Sequence, residues 1–139
     1  MATNEKCTVA LHRDAAPGYR MLALDAPRIA AAVSPGQFVH VKVPGLEASA
    51  LRRPFSVFDA EPRRDDGSGG RVTVLYKVVG RGTAALSKAA EGSGLEVIGP
   101  LGTGFPAKCE GVPLLVGGGY GVAPLYFLAK RMVSAGQVE

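Results

Sequence analysis

Apolar and polar residues alternate in short runs along most of the chain before Phe105. Such alternation turns one face of a segment toward a core and the other toward solvent, as in a β-strand. Gly and Pro residues fall between the runs at short spacing, which indicates turns. The pattern predicts six strands, in residues 7–14, 19–25, 37–43, 51–58, 71–79 and 95–98. Six short strands joined by turns favour a small antiparallel barrel.

Other segments of this region predict the connections between the strands. Residues 27–33 are predicted to form a single helical turn, and residues 83–90 a short helix with its N-cap region at Gly82–Thr83. The charged, glycine-rich run 63–70 is predicted to be a solvated hairpin loop. Because Pro54 has no backbone N–H, its strand is expected to lie at a sheet edge or beside a bulge.

The pattern changes after this region. Residues 112–116 are apolar throughout, which is typical of a strand buried on both faces of a parallel sheet. A glycine-rich turn follows at 117–121, and the pattern predicts a helix at about 122–134. A strand, a glycine loop and a helix in this order begin an α/β nucleotide-binding domain. We therefore expect a mainly β barrel domain at 1–105 and the incomplete start of such an α/β domain at 106–139.

Composition narrows the class of protein. The chain has 139 residues, of which 47% are hydrophobic and 20% charged, and this is enough apolar material for a folded core. The formal net charge is +4, but the basic residues form no run longer than two, which favours an anionic cofactor over nucleic acid. No apolar stretch reaches the roughly 20 residues of a membrane span, and the polar N-terminus lacks a signal-peptide core. We expect a cytoplasmic protein that does not associate with membranes.

The two cysteines, Cys7 and Cys109, are far apart in the sequence and form no C-x-x-C pair. In a cytoplasmic protein we expect both to be free thiols. An iron–sulfur cluster or a structural zinc ion needs four protein ligands, which two cysteines cannot supply. His12 and His40 also lack the spacing of metal ligands. We therefore expect no metal site within the chain.

Two segments of the barrel region carry residues suited to holding a dinucleotide. In Arg52–Ser56 (RRPFS), a guanidinium can grip a pyrophosphate and a serine hydroxyl can donate to a ring atom. Arg53 and Ser56 would face opposite ways in a regular strand unless Pro54 bends it. In Tyr76–Thr83 (YKVVGRGT), glycines allow close backbone approach, and the helix start offers free N–H groups to a phosphate. Exposed arginines beside a turn, or a glycine turn before any helix, would look the same in the sequence.

Two further glycine-rich segments follow. Gly99–Phe105 (GPLGTGF) marks a tight connection, which either passes over a ligand or links two domains. Gly117–Pro124 (GGGYGVAP) contains G-x-G-x-x-P between a predicted strand and a predicted helix. In that setting the glycines and the helix N-terminus suit a pyrophosphate, and Pro124 fits a first helical turn.

In this order, the four segments resemble those of the ferredoxin–NADP reductase superfamily, over essentially the whole chain. Within the superfamily, the amino-acid sequences of the four segments are most similar to those of the electron-transfer subunits of dihydroorotate dehydrogenase B. The resemblance implies an antiparallel barrel that binds FAD, followed by an α/β domain that binds NAD(H). It also implies a C-terminal segment whose four cysteines hold a [2Fe–2S] cluster, and these cysteines are absent from the chain.

The resemblance assigns cofactor-binding roles to three parts of the chain. The first would hold the FAD pyrophosphate through Arg53 and line the isoalloxazine ring with the three residues that follow. The second would flank the ring with backbone groups and hold the phosphates at a helix start. The third would approach the pyrophosphate of NAD(H). The first part comprises Arg53, Pro54, Phe55 and Ser56. The second comprises Lys77, Val78, Val79, Gly82 and Thr83. The third comprises Gly118, Gly119 and Gly121.

The function implied is that of an FAD-binding electron-transfer subunit. It would pass electrons between NAD(H) and an FMN-containing catalytic subunit that converts dihydroorotate to orotate, with the redox chemistry supplied by the cofactors and no catalytic side chain in this chain. Another NAD(P)H-dependent carrier, such as a sulfide dehydrogenase or a hydrogenase-associated reductase, remains open, as does a flavin-free docking module. The apolar surface at 113–133 is expected to be covered by a second copy or a partner chain.

Overall fold

The computed structural model describes residues 1–45, 51–106, 108 and 110–137. The strands are β1 (Thr3–Ala16), β2 (Tyr19–Asp25), β3 (Phe38–Lys42), β4 (Arg53–Glu61), β5 (Arg71–Lys77) and β6 (Gly94–Leu101). The helices are α1 (Pro27–Ala32), α2 (Arg81–Leu86) and α3 (Val122–Ser134), with a 3₁₀ turn at Gly119–Gly121 directly before α3. The predicted bounds of β2 and α3 are confirmed, and the other strands differ from prediction by a few residues at their ends.

The six strands close into a barrel in the order β1-β2-β5-β4-β3-β6, and every neighbouring pair is antiparallel. The predicted barrel is therefore confirmed. In the closed barrel β4 lies between β3 and β5, but its beginning has no partner on the β5 side, and this accommodates Pro54. It pairs with His40 on β3 but precedes the first β4–β5 pair, Val57 with Val74, so no β4–β5 hydrogen bond requires its missing N–H. The β4–β5 register also shifts just beyond Val57.

The core is formed by the alternate, inward-facing residues of the strands. Its fully buried aliphatic side chains come from all six strands and from α1 and α2: Val9, Leu22, Leu24, Ile29, Val39, Val41, Val57, Val72, Val74, Leu86 and Val97. Helix α1 is held by Glu5 of β1, whose carboxylate accepts hydrogen bonds from the N–H groups of Arg28 (3.2 Å) and Ile29 (3.1 Å). This contact satisfies free donors of the first helical turn, because Ala26 has no capping side chain.

The predicted strand at 112–116 is wrong, since this segment forms no secondary structure. Three of its side chains are almost fully exposed: Val112 (96%), Leu114 (86%) and Val116 (81%). The physical reason is that a parallel strand needs neighbours for its backbone hydrogen bonds, and no described strand lies beside this segment. The helix that follows forms without it, because α3 packs on the outside of β4 and buries Phe127 within the barrel cluster.

Helix α3 is attached to β4 by polar and aromatic contacts as well. The ring of Tyr126 stacks on Phe58, with ring centroids 4.2 Å apart and planes inclined by 2°. One turn later, Lys130 Nζ donates to Asp59 Oδ2 at 2.6 Å and also approaches Glu61. These contacts fix the helix against the same strand that carries the Arg52–Ser56 segment at its other end.

Candidate cofactor site

A cleft of about 210 Å³ opens where β4 and β5 separate. The two strands pair only from Val57 and Val74 onward, so the start of β4 and the end of β5 are not joined by ladder hydrogen bonds. The cleft is bounded by these two strand ends, the start of α2 and the glycine-rich turn. Its lining residues are Pro54, Phe55, Ser56, Leu75, Tyr76, Lys77, Val79, Thr83 and Tyr120.

The two adjacent arginines of the first segment have different environments. Arg52 donates through both terminal nitrogens to Glu96, at 3.1 Å to the backbone carbonyl and 3.1 Å to the carboxylate. This contact lowers the pKa of the Glu96 carboxyl, with Lys42 contributing to the same effect. Arg53 has no carboxylate partner among the described residues, and a single long hydrogen bond (3.5 Å) joins it to the Leu51 carbonyl. Arg52 is therefore a structural residue, whereas the charge of Arg53 is available to a ligand.

Arg53 lies against the first turn of α2. A Cβ atom added to Gly82 would stand 2.6 Å from Arg53 Nε, so the guanidinium occupies the space that any other residue at position 82 would need. Pro54 and Ser56 are exposed and Phe55 is buried, so the inward–outward alternation continues through Pro54 without the bend considered above. Arg53 and Ser56 nevertheless serve one site, because Ser56 lines the cleft and Arg53 contacts the helix that bounds it.

Helix α2 begins two residues earlier than predicted. Gly80 is the N-cap and Ala84 makes the first helical hydrogen bond, to the Gly80 carbonyl at 2.8 Å. The hydroxyl of Thr83 accepts the N–H of Val79 (2.8 Å) and donates to the Gly80 carbonyl (3.3 Å), which closes the turn. Gly82 and Thr83 therefore lie within the first helical turn, whose backbone N–H groups have no acceptor inside the helix.

The end of β5 forms the opposite part of the cleft. Lys77 and Val79 line it, and Lys77 Nζ lies 5.6 Å from the centre of the Tyr19 ring. Val78 instead donates its N–H to the Gly18 carbonyl (2.9 Å) and packs against the barrel core. Tyr76 was missed as a site residue. It is a buried core residue whose ring also borders the cleft.

The glycine-rich turn reaches the same cleft through Tyr120, which sequence reasoning also missed. Gly119 has a φ of 56°, and a Cβ atom there would approach the Tyr19 hydroxyl at 3.4 Å, so glycine suits this position. Around Gly118 and Gly121 there is open space, with nothing within 4 Å of an added Cβ atom. The turn is therefore beside the candidate site even though no strand precedes it.

The remaining candidates lie elsewhere. Gly99–Phe105 begins as the end of β6 and continues past Phe38, whose ring would be 2.8 Å from a Cβ atom at Gly102, and it does not line the cleft. Cys7 is a free, buried thiol whose pKa burial raises to about 12. Cys109 lies outside the described residues. Within the described ranges, no three His, Cys, Asp or Glu side chains are placed to hold a metal ion, and no helix is long and apolar enough to cross a membrane.

No protein-family model matches the sequence. The dihydroorotate dehydrogenase B (NAD(+)) electron transfer subunit of Geobacillus kaustophilus is 40% identical to this chain over 98% of the chain and 52% of its own length. The subunit of Shouchella clausii is 45% identical over 73% of the chain and 39% of its own length. This chain is a homologue of these electron transfer subunits. It spans about half the length of the curated relatives it matches.

Solved structures give the same fold. The structure of the NADH-dependent reduced ferredoxin-NADP oxidoreductase, studied for flavin-based electron bifurcation, aligns with a TM-score of 0.81 and 32% identity over 94% of this chain and 45% of that one. The ferredoxin reductase of carbazole 1,9a-dioxygenase aligns with a TM-score of 0.79 over 96% of this chain and 40% of that one, at 23% identity, which supports the fold alone. This chain therefore has a ferredoxin reductase-type barrel, as its sequence motifs predict.

Proposed function

We propose that this chain is the FAD-binding part of an electron-transfer subunit that connects NAD(H) to a dihydroorotate-oxidising partner. The observation that carries the proposal is the contact between Arg53 and Gly82 beside the cleft. It brings a guanidinium without a described carboxylate partner together with the free N–H groups of a helix start, and both groups bind phosphate. The names of the homologous subunits support the electron-transfer role.

The residues present fit a flavin dinucleotide. Glycine at 82 leaves the space that lets Arg53 and the α2 backbone converge on one anionic group, and we assign the pyrophosphate to them together with Thr83. The neighbouring cleft combines apolar surface, including that of Pro54 and Phe55, with polar groups such as the hydroxyls of Ser56 and Thr83, as suits a planar aromatic ring with polar edges. Bound FAD would supply both hydride transfer and single-electron transfer.

Each side chain of the site has a limited task in this proposal. Arg53 neutralises the pyrophosphate, and Ser56 offers a hydroxyl to the polar edge of the ring. The ends of β4 and β5 exclude water from the two ring faces, with the backbone at Lys77 and Val79 on one side. Arg52 takes no part, because Glu96 holds it. The protein thus orients the cofactor and tunes its surroundings.

The same proposal extends to the nucleotide and the partners. We assign Gly118, Gly119 and Gly121 to the approach of the NAD(H) pyrophosphate, and the boundary between the two domains to residue 105. We further propose a cytoplasmic location, an FMN-containing catalytic subunit as partner, and a [2Fe–2S] cluster in the electron path supplied from outside this sequence. The exposed apolar residues of 112–116 support a second chain or domain that covers residues 113–133.

Extraction of the cofactor tests the proposal. The chain is expected to be purified with a yellow chromophore that chromatography identifies as FAD, or to bind added FAD in preference to FMN, because only FAD offers a pyrophosphate to Arg53. Binding of FMN alone, or of no flavin, would contradict the assignment and favour a docking module. Dihydroorotate oxidation by the assembled complex then separates the proposed function from that of another NAD(P)H-dependent carrier, which the structural similarity to a ferredoxin-NADP oxidoreductase also supports.

A further inference from the structure

A partly buried network of hydrogen bonds connects the candidate site to β1. His12 Nε2 lies 2.8 Å from the hydroxyl of Tyr76, and His12 Nδ1 lies 2.8 Å from the carbonyl oxygen of Ala89, just after α2. The backbone N–H of His12 donates to the Glu91 carboxylate at 3.0 Å. Every polar atom of the imidazole is thus engaged, and the partners come from two distant parts of the chain.

The carbonyl fixes the proton positions in this network. A carbonyl oxygen can only accept, so Nδ1 of His12 must carry the hydrogen. In the neutral imidazole Nε2 is then an acceptor, and the Tyr76 hydroxyl donates to it. Burial raises the pKa of Tyr76 to about 12, so this hydroxyl keeps its proton at neutral pH. For the neutral imidazole, this argument gives the direction of both hydrogen bonds.

Within this hydrogen-bond network, the Tyr76 ring is the part that borders the cleft. Its body borders the cleft, and its centroid lies 5.4 Å from that of Phe55 with the planes inclined by 57°. A tyrosine ring held only by packing can slide along its long axis, whereas a hydrogen bond at the hydroxyl fixes that position. Ala89 follows the helix that carries Gly82, so His12 also ties the ring end of the site to the element at its phosphate end.

We propose that His12 is a positioning residue that fixes Tyr76 as one wall of the flavin-ring site. The inference rests on the proposed function, since it assumes that a flavin ring occupies the cleft. His12 does not touch the ligand and acts only through Tyr76. Removing either partner would loosen the wall that contacts the ring while leaving the contact between Arg53 and Gly82 in place.

The test compares ligands that share only one end of FAD. Riboflavin carries the ring without phosphates, and ADP carries the pyrophosphate without the ring. His12→Leu and Tyr76→Phe are each expected to weaken riboflavin and FAD binding by up to roughly tenfold, because the energy of the one lost internal hydrogen bond sets the upper limit. ADP, measured by competition with FAD, should bind equally well to the wild type and to both variants. His40→Leu is the control, because His40 is the other of the two histidines and does not line the cleft.

Two further variants separate positioning from a general structural role. In His12→Gln the amide nitrogen can donate to Ala89 and the amide oxygen can accept from Tyr76, so this variant should restore most of the riboflavin affinity. The double variant, His12→Leu with Tyr76→Phe, should bind riboflavin as well as the single variant with the lower affinity does, because both changes remove the same hydrogen bond. Equal losses for riboflavin and ADP, additive losses, or no loss in either single variant would overturn the inference. A wild-type chain that binds neither FAD nor riboflavin would overturn the proposed function as well.

Discussion

The barrel and the segment after it are stabilised in different ways. In the barrel every strand has two antiparallel neighbours, and its inward side chains form a closed core. Among its described residues, the segment 106–137 contributes one α-helix, α3, which lies on the outside of β4 and is preceded by an exposed apolar stretch and a 3₁₀ turn. The difference indicates that the barrel strands and α2 form most of the cofactor site, whereas the glycine-rich turn is held beside it by α3 and by contacts with β5.

This comparison predicts that the two regions unfold separately. Leu22→Ala removes a fully buried side chain from the barrel and should lower the global free energy of unfolding by about 2–5 kcal/mol. Phe127→Ala removes the buried anchor of α3 and should abolish hydrogen-exchange protection at 122–134 while protection of the barrel strands persists. Urea unfolding and hydrogen exchange measure the two effects. Loss of barrel protection in Phe127→Ala at low denaturant would show that the regions form one cooperative unit.

The phosphate end of the site should be sensitive to one methyl group. In Gly82→Ala the new Cβ atom would stand 2.6 Å from Arg53 Nε and must displace the guanidinium. We expect FAD affinity to fall by roughly 10-fold, because a charge-assisted contact is weakened. Gly94→Ala is the matched control, since nothing lies within 4 Å of a Cβ atom there. Equal FAD dissociation constants for the two variants would refute the role of this contact.

The ion pair between α3 and β4 should have a smaller, local effect. Lys130→Met removes the partner of the half-buried Asp59, and we expect a loss of roughly 1 kcal/mol or less in the opening free energy of α3. Arg71→Met breaks a more exposed pair with Asp25, which joins β5 to β2 on the barrel surface, and serves as the control. Hydrogen exchange over residues 122–134 should respond to the first change alone. If both variants changed the exchange of residues 122–134, the effect would come from overall charge and not from the ion pair.

The buried thiol gives the barrel a pH dependence that is absent near neutrality. Burial raises the pKa of Cys7 to about 12 from 9.0, so between these values the unfolded chain loses a proton that the folded chain keeps. The free energy of unfolding should therefore fall as pH rises above 9, by at most roughly 1.4 kcal/mol per pH unit from this group. Cys7→Ala should make that decline shallower. Parallel pH profiles for the two proteins between pH 9 and 10.5 would contradict the assignment.

Secondary structure was easier to predict from the sequence in the barrel than in the segment that follows it. Alternation identified β5 well, because Val72, Val74 and Tyr76 all face a core that the barrel supplies. The same hydrophobicity rule failed at 112–116, because apolar residues form a strand only where a neighbouring strand can pair with them. Local pattern was sufficient where the partners were present, and insufficient where they were not.

The candidate site shows a second limit. Sequence motifs placed Arg53 and Gly82 in separate segments, and only the folded barrel brings the two into contact. The residues around Arg52 and Arg53 do not indicate which of the two arginines forms an ion pair, because the partner, Glu96, is distant in the sequence. Tyr120 was likewise hidden in a glycine-rich loop whose position is set by the docking of α3. Such contacts arise from tertiary structure and have no local signal.

The most direct test of the account compares the two adjacent arginines. Arg53→Ala should weaken FAD binding by roughly 10- to 100-fold, because it removes a charge-assisted contact to the pyrophosphate. Arg52→Ala removes the same charge from the neighbouring position and should leave the FAD dissociation constant nearly unchanged, since Glu96 engages that guanidinium. Titration of both apoproteins with FAD gives the two constants. Equal losses, or an unchanged affinity in Arg53→Ala, would contradict the proposed site.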